Sequence, residues 1–453
     1  MPRRLRVLLT AVPVVAIVCA RAAYAAGFAL KEQSATGLGS AFAGQAAGGE
    51  DISAMFVNPA AITRQAGNRI SLLATHIMPQ VRFRSASAST ITGTPIGGGN
   101  GGSDVADDLT LPAAYALVDL DESFALGHKL RLGVGINVPF GLETDYNEGW
   151  VGRYHALHSQ LATLNINPVL AFEAVPGLSL GVGAQFQYAD AALTNAIDFG
   201  TIGALAGIPS AAPTRQDGRG RVTGDDWGYG FTLGALLEPW PGSRFGVGYR
   251  SAIKHRLSGR GSFRLDDAGV GATLSAASGA FTNTDAAADL TTPESLNIGL
   301  TQELGGGWSL SGEAQWTRWS RFDDLTVKFA NPAQPDSFTE QDWEDVWFFA
   351  AGLTWRPADA WTLRAGYAYD QSPVPNRTAT PRIPDADRHW LAVGATYQPM
   401  PTLLLAAGYT HIFVRDRGID LAATGTGETF RGNLNGRTRS AIDMVSLQVE
   451  WQF

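Results

Sequence analysis

Side chains able to make or break bonds are few in this sequence and poorly arranged for it. His155 and His158, in Arg153-Tyr154-His155-Ala156-Leu157-His158, have a spacing that a metal ion could use, yet no third ligand accompanies them. Asp119, Asp121 and Glu122 form a loose acidic group that reads as a solvated strand end rather than a calcium loop. The histidines stand in no recognisable triad context. These observations lead to an expectation of no catalytic residue, no metal site and no cofactor. Function must then come from the elements themselves.

Those elements alternate. In Val445-Ser446-Leu447-Gln448-Val449-Glu450-Trp451-Gln452-Phe453 every second residue is apolar, which places an apolar and a polar face on one strand. The edge of a soluble β-sandwich alternates in the same way, so one segment decides nothing. The pattern returns, however, at Leu178 to Tyr188, Trp308 to Thr317 and Trp361 to Asp370, and its polar faces carry Glu313, Arg364 and Glu450. A packed core would not accept those charges unpaired, whereas a wet lumen would. The fold class expected is all-β, a transmembrane antiparallel β-barrel of about fourteen strands, centred near residues 76, 115, 134, 167, 184, 232, 249, 298, 313, 350, 365, 393, 408 and 447.

The chain begins with Arg3, Arg4 and Arg6, an apolar run from Val7 to Ala20, and Ala23-Tyr24-Ala25, the pattern of a secretory signal peptide cut after Ala25. The one cysteine, Cys19, falls inside it. Removing four arginines and no acid takes the formal charge from -8 to -12, which disfavours nucleic acid as a partner. Residues 26–67 lack strand alternation and are rich in small side chains, so they are not barrel wall, and the chain divides into a signal peptide at 1–25, a strand-free segment at 26–67 and the barrel at 68–453.

Connector lengths mostly alternate. Pro176-Gly177, Pro241-Gly242, Gly305-Gly306-Gly307, Pro357-Ala358 and Pro399-Met400-Pro401 read as tight turns. Ile91 to Asp108, Ala191 to Gly224, Gly259 to Asp289, Ser320 to Gln341, Asp370 to Asp387 and Arg415 to Arg437 read as long loops on the opposite rim. Short turns facing the periplasm and long loops facing outward are characteristic of outer-membrane barrels. Aromatic residues near strand ends, among them Trp240, Trp308, Trp319, Trp355, Trp361, Trp390, Tyr397 and Trp451, suit interfacial girdles.

Gly27 to Gly44, followed by Asn58-Pro59-Ala60, resembles the start of the FadL family of outer-membrane transporters for long-chain fatty acids and related hydrocarbons. Tyr369-Asp370-Gln371-Ser372-Pro373-Val374-Pro375 and Ile383-Pro384-Asp385-Ala386-Asp387-Arg388-His389-Trp390 are similar to its downstream stretch, as are Trp316-Thr317-Arg318-Trp319-Ser320 and Pro139-Phe140-Gly141-Leu142. The resemblance implies a barrel closed by an N-terminal hatch, here residues 26–67, with Asn58, Pro59 and Ala60 in that hatch and Phe28 reaching into the ligand site. It implies a kink of the third strand at Pro139, Phe140 and Gly141 that opens the wall, consistent with a proline that cannot donate to a ladder. The family's carboxylate-binding arginine and lysine would fall at Asn195 and about Thr326, neither of them basic. Lys328 stands two residues on, and Leu193 matches an apolar lining residue.

The function expected is passive uptake of hydrophobic compounds, long-chain fatty acids first and aromatic hydrocarbons as the alternative, with lateral release into the bilayer. Expected partners are those molecules, outer-membrane lipid and lipopolysaccharide, and the barrel-assembly machinery, reached through the C-terminal strand. An outer-membrane lipid hydrolase and a nonspecific porin are the rival classes.

Overall fold

A computed structural model describes residues 27–102, 104–121 and 129–453. The expected signal peptide, Cys19 and Glu122 lie outside the described residues. One antiparallel sheet of twenty strand segments closes on itself to form a fourteen-stave barrel. In chain order it begins with β1 (Arg69–Ser89), β2 (Leu109–Asp119), an interrupted third stave made of β3 (Leu130–Asn137) and β4 (Gly141–Asp145), β5 (His158–Val175), β6 (Leu178–Asp198) and β7 (Asp217–Trp240). Two further interrupted staves follow, β8 (Ser243–Arg250) with β9 (Ile253–Arg264), and β10 (Thr284–Thr292) with β11 (Ser295–Gly305). Then come β12 (Trp308–Thr317), the small hairpin β13 (Asp324–Phe329) and β14 (Ser337–Glu340), β15 (Val346–Ala358), β16 (Trp361–Asp370) and β17 (Arg388–Met400). The wall ends with β18 (Leu403–Val414), the short β19 (Arg417–Leu421) and β20 (Asn433–Gln452).

Closure is made by β1 and β20, paired from Arg69 opposite Gln452 to Ser89 opposite Asn433 with one bulge between Arg84 and Ser87. The alternation is inside out relative to a soluble protein: Leu72, Val445, Leu447, Val449 and Trp451 are exposed on the outer face, while Ser71, Thr75, Ser446, Gln448 and Glu450 are buried within. That is the order a hydrocarbon solvent imposes, because a closed barrel pairs every backbone group of the wall. Short turns lie on one rim with Arg69 and Phe453. Two of them use Gly177 (φ 82°) and Gly242 (φ 84°) in the left-handed region.

Three expectations change. The segments read as long loops are partly strand: β6 runs on to Asp198, β7 starts at Asp217, and β9, β10, β13, β14 and β19 occupy much of the rest. Beyond the bilayer neither face meets lipid, so the apolar/polar alternation that marks a strand in the sequence is lost. Trp319 and Trp390, assigned to girdles, are buried. The lumen around Glu313, Arg364 and Glu450 is also not simply wet, since residues 27–67 pack there.

Candidate functional site

Residues 27–67 contribute no strand to the sheet; three short helical turns carry them across the lumen. Each turn is capped by a side chain: Ser34 accepts from Gly37 N–H (3.0 Å), Asp51 from Ser53 N–H (2.8 Å) and Asn58 from Ala60 N–H (2.9 Å). Pro59 follows Asn58 at the first helical position, where its missing N–H costs nothing. Asn-Pro-Ala is therefore a helix start, not merely a turn. The Asn58 amide also donates to Ala46 O (2.6 Å) and, across to the wall, Ala235 O (3.0 Å).

Wall side chains satisfy the backbone of this segment one group at a time. Glu313 accepts from Ala46 N–H (3.1 Å), Glu450 from Ile52 N–H (3.1 Å), Gln448 from Ala35 N–H (2.9 Å) and Asp385 from Gly27 N–H (3.0 Å). Elsewhere the wall offers no side chain at all. A Cβ at Gly181, Gly246 or Gly248 would run into the backbone of Ala60, Ala46 or Val57 respectively, and one at Gly234 into the Asn58 amide and the Pro59 ring, so the segment lies directly on the wall's backbone. Near one end, Glu50 is ion-paired with Arg364 and Arg356. Burial opposes its ionisation, but the two guanidiniums outweigh that and hold its carboxyl below the ordinary range.

The third stave breaks at Val138–Phe140. β3 pairs with β2 only up to Ile136 opposite Ala114, and β4 pairs with β5 alone, so no ladder joins β2 to β4. The N-terminal segment takes up the freed edge. Leu30 N–H donates to Pro139 O (2.8 Å) and Gly141 N–H to Phe28 O (2.8 Å), a two-bond antiparallel bridge. Gln33 extends it with its side chain, donating to Val138 O (2.7 Å) and accepting from Val138 N–H (3.3 Å). The Phe28 ring is buried in an aromatic nest with centroids of Phe140, Trp319, Phe322 and Trp343 at 5.9, 4.6, 5.6 and 5.6 Å.

Beside this bridge lies a cavity of about 60 Å³, lined by Phe42, Phe56, Phe140 and Phe348, by two cations, Lys31 and Arg250, and by one acid, Glu313. It has room for a few waters, not for a long hydrocarbon chain. Lys31 is hydrogen-bonded to Gln315 and sits 4.3 Å from the Phe348 ring centroid. Burial pushes its ammonium below the ordinary range, with Asp370, Glu32 and Glu313 pulling the other way. Arg250 is bonded to Gln185 and to Phe56 O (2.8 Å) and stacks at 4.4 Å on the Phe56 ring, and no carboxylate is paired with it among the described residues. Glu32 is fully buried, and burial pushes its carboxyl up to about 7.

A sequence profile of the family described as outer membrane protein transport protein (OMPP1/FadL/TodX) matches residues 16–453. The chain belongs to this family. Its members are transporters rather than enzymes, which removes the lipid hydrolase considered from the sequence, and the chain is an outer-membrane transporter of hydrophobic compounds. It is 29% identical to a putative outer membrane protein of Neisseria meningitidis serogroup B over 96% of each chain. It is 28% identical to the long-chain fatty acid transport protein of Escherichia coli K12 over 83% of this chain and 85% of the other. The crystal structure of a Pseudomonas aeruginosa FadL homologue superposes with a TM-score of 0.85 at 26% identity, covering 94% of this chain and all of the other. The Pseudomonas putida toluene transporter TodX shares the fold, with a TM-score of 0.66 at 17% identity over 94% and 99% of the two chains.

Of the residues singled out in this FadL-family chain from sequence, Phe28 meets Phe140 and Gly141. Asn58, Pro59 and Ala60 are not beside them; they rest on β6 and β7 at Gly181 and Gly234. Leu193 and Asn195 lie half-buried near one end of β6, and the Asn195 amide donates to Ala196 O (2.9 Å). Lys328 is exposed on β13, opposite Ala287. None of these three lines the cavity. His155 lies 3.0 Å from Glu428, His158 4.0 Å from Asp145, and Asp119 2.6 Å from Arg131. Gln33, Lys31 and Arg250 were not singled out. Arg250 carried a signal, a charge at the end of an alternating apolar strand.

Proposed function

We propose that the chain takes up long-chain fatty acids by passive diffusion, with residues 26–67 as a hatch and the gap between β2 and β4 as a lateral exit to the bilayer. The observation that carries the substrate reading is Arg250. A buried guanidinium facing a ring-lined cavity without a carboxylate partner is costly unless a ligand supplies one, and a fatty acid brings that carboxylate together with an apolar tail. Relatives named long-chain fatty acid transport proteins in Escherichia coli and Salmonella typhi favour the same substrate class. The small cavity requires Phe28 and the hatch to move before a chain can enter. Exit through the wall avoids exposing the tail to water, a cost of about 0.8 kcal/mol per methylene.

An aromatic hydrocarbon is the second reading, favoured by the absence of a basic side chain at Asn195. One experiment weighs both: binding and liposome uptake of oleate and of toluene by the unaltered protein and by Arg250→Met. On the fatty-acid reading oleate affinity falls roughly tenfold to a hundredfold, as for a lost charge-assisted hydrogen bond, while toluene uptake is unchanged. Unchanged oleate binding with impaired toluene uptake would replace it with the hydrocarbon reading.

A further inference from the structure

Four arginines stand together on the outer face of the closing seam. In the β1–β20 register Arg82 is directly opposite Arg439 and Arg84 directly opposite Arg437. All four are exposed, on the same strand faces as the lipid-facing Leu72, Val445 and Leu447. None takes part in an ion pair among the described residues. Like charges directly opposite on neighbouring strands repel, so two such pairs in succession concentrate positive charge that the protein does not neutralise. Acids do flank the seam, but Asp443 accepts from His411 and Tyr409 (both 2.7 Å), Asp104 accepts from Val81 N–H (2.9 Å), Asp108 lies 3.9 Å from His76, and Asp420 on β19 is opposite Asn435.

Their height on the wall says what would neutralise them. Ile70 is opposite Trp451 at the short-turn rim, and Arg439 lies twelve residues above Trp451 on β20. At a rise of about 3.3 Å per residue and a tilt of about 40°, this is roughly 30 Å along the membrane normal. The apolar band of an outer-membrane barrel is about 25 Å tall. The guanidiniums therefore emerge just above the hydrocarbon on the long-loop side, at the headgroups of the outer leaflet. We propose that Arg82, Arg84, Arg437 and Arg439 form a binding site for the phosphorylated sugar headgroup of an outer-leaflet glycolipid. Two stacked arginine pairs match two phosphates, since a guanidinium binds phosphate in a bidentate fork, and Met78, Ala441 and Val445 on the outer face below them, with Leu447 further down, would receive the acyl chains. The proposal is independent of the transported substrate.

The test is native mass spectrometry of the detergent-solubilised protein with bis-phosphorylated lipid A and with the same lipid dephosphorylated. The unaltered protein is expected to retain the phosphorylated form at least tenfold better. Arg82→Gln with Arg84→Gln, Arg437→Gln and Arg439→Gln should abolish that preference while leaving heat-modifiable mobility and oleate uptake intact, and the four corresponding Lys substitutions should restore part of it. Should the fourfold Gln variant fail to fold, the pair Arg82→Gln and Arg439→Gln should lower the preference several-fold. Equal retention of both lipids by the unaltered protein, or an unchanged preference in the Gln variants, would overturn the site. So would complete displacement by millimolar inorganic phosphate, which would make it a general anion site rather than a glycolipid site.

Discussion

The side-chain amide of Gln33 replaces a strand partner for Val138, donating to its carbonyl (2.7 Å) and accepting from its N–H (3.3 Å). It bonds both backbone groups of one residue where the wall has no neighbouring strand. Gln33→Ala should leave both unsatisfied, at about 1–3 kcal/mol each. Hydrogen exchange at the Leu30 and Gly141 amides should rise at least tenfold with the rest of β3 unchanged; an unaltered rate would show that Gln33 does not hold this bridge.

A second prediction concerns Gly234, where the wall meets Asn58 and Pro59 without a side chain. Gly234→Val should expel the Pro59–Arg64 turn from the wall, because the Asn58 amide it meets is fixed by bonds to Ala46, Ala60 and Ala235 and the Pro59 ring beside it is rigid. Planar-bilayer recordings are expected to show a larger and noisier conductance from barrels that retain their heat-modifiable mobility. Quiet bilayers would mean that the lumen remodels around the added methyls.

The alternating strands were legible in the sequence because hydrocarbon and lumen impose opposite demands on successive residues, and each of the fourteen expected centres falls within a strand segment. The strand extensions past the bilayer were not legible, since both faces there meet protein or water. The partners of residues 27–67 were hidden for a different reason: Glu450 bonds Ile52 across almost the whole chain length, and no local pattern records such a pairing. Phe28 and the third-stave break could be named in advance, whereas Gln33 and Arg250 acquire meaning only from what they face.

Acidity should tighten the N-terminal segment through Glu32. Its carboxyl is raised from 4.5 to about 7 when docked, so the docked form binds the extra proton. Docking is thus favoured below pH 4.5, weakens as pH rises through 7, and is then constant, a span of about 3 kcal/mol. Limited proteolysis within residues 27–50 should accelerate between pH 5 and pH 7 and level off above, and Glu32→Gln should flatten that profile. A profile unaffected by Glu32→Gln would assign the dependence to another group.

Glu50 carries the opposite sign. Arg364 and Arg356 hold its carboxyl low, so its contribution is present at neutral pH and lost on acidification through its folded pKa. Glu50→Gln leaves a buried Arg364 without its acid, and should loosen residues 44–51 by about 3 kcal/mol. Hydrogen exchange at the amides of residues 44–51 would report the change as faster exchange, and unchanged rates would refute the anchoring role.

Because Glu450 and Gln448 on the last stave bond Ile52 and Ala35, the seam between β1 and β20 is also the wall against which the lumen segment rests. The earliest described part of the chain thus waits for the latest before either is complete. Maturation should therefore be a single late event, limited by the meeting of distant chain ends. A chain shortened before β20 would lose the packing of residues 27–67 as well as its closure, and a folding intermediate with a sealed cylinder and an unfilled interior is not expected to accumulate.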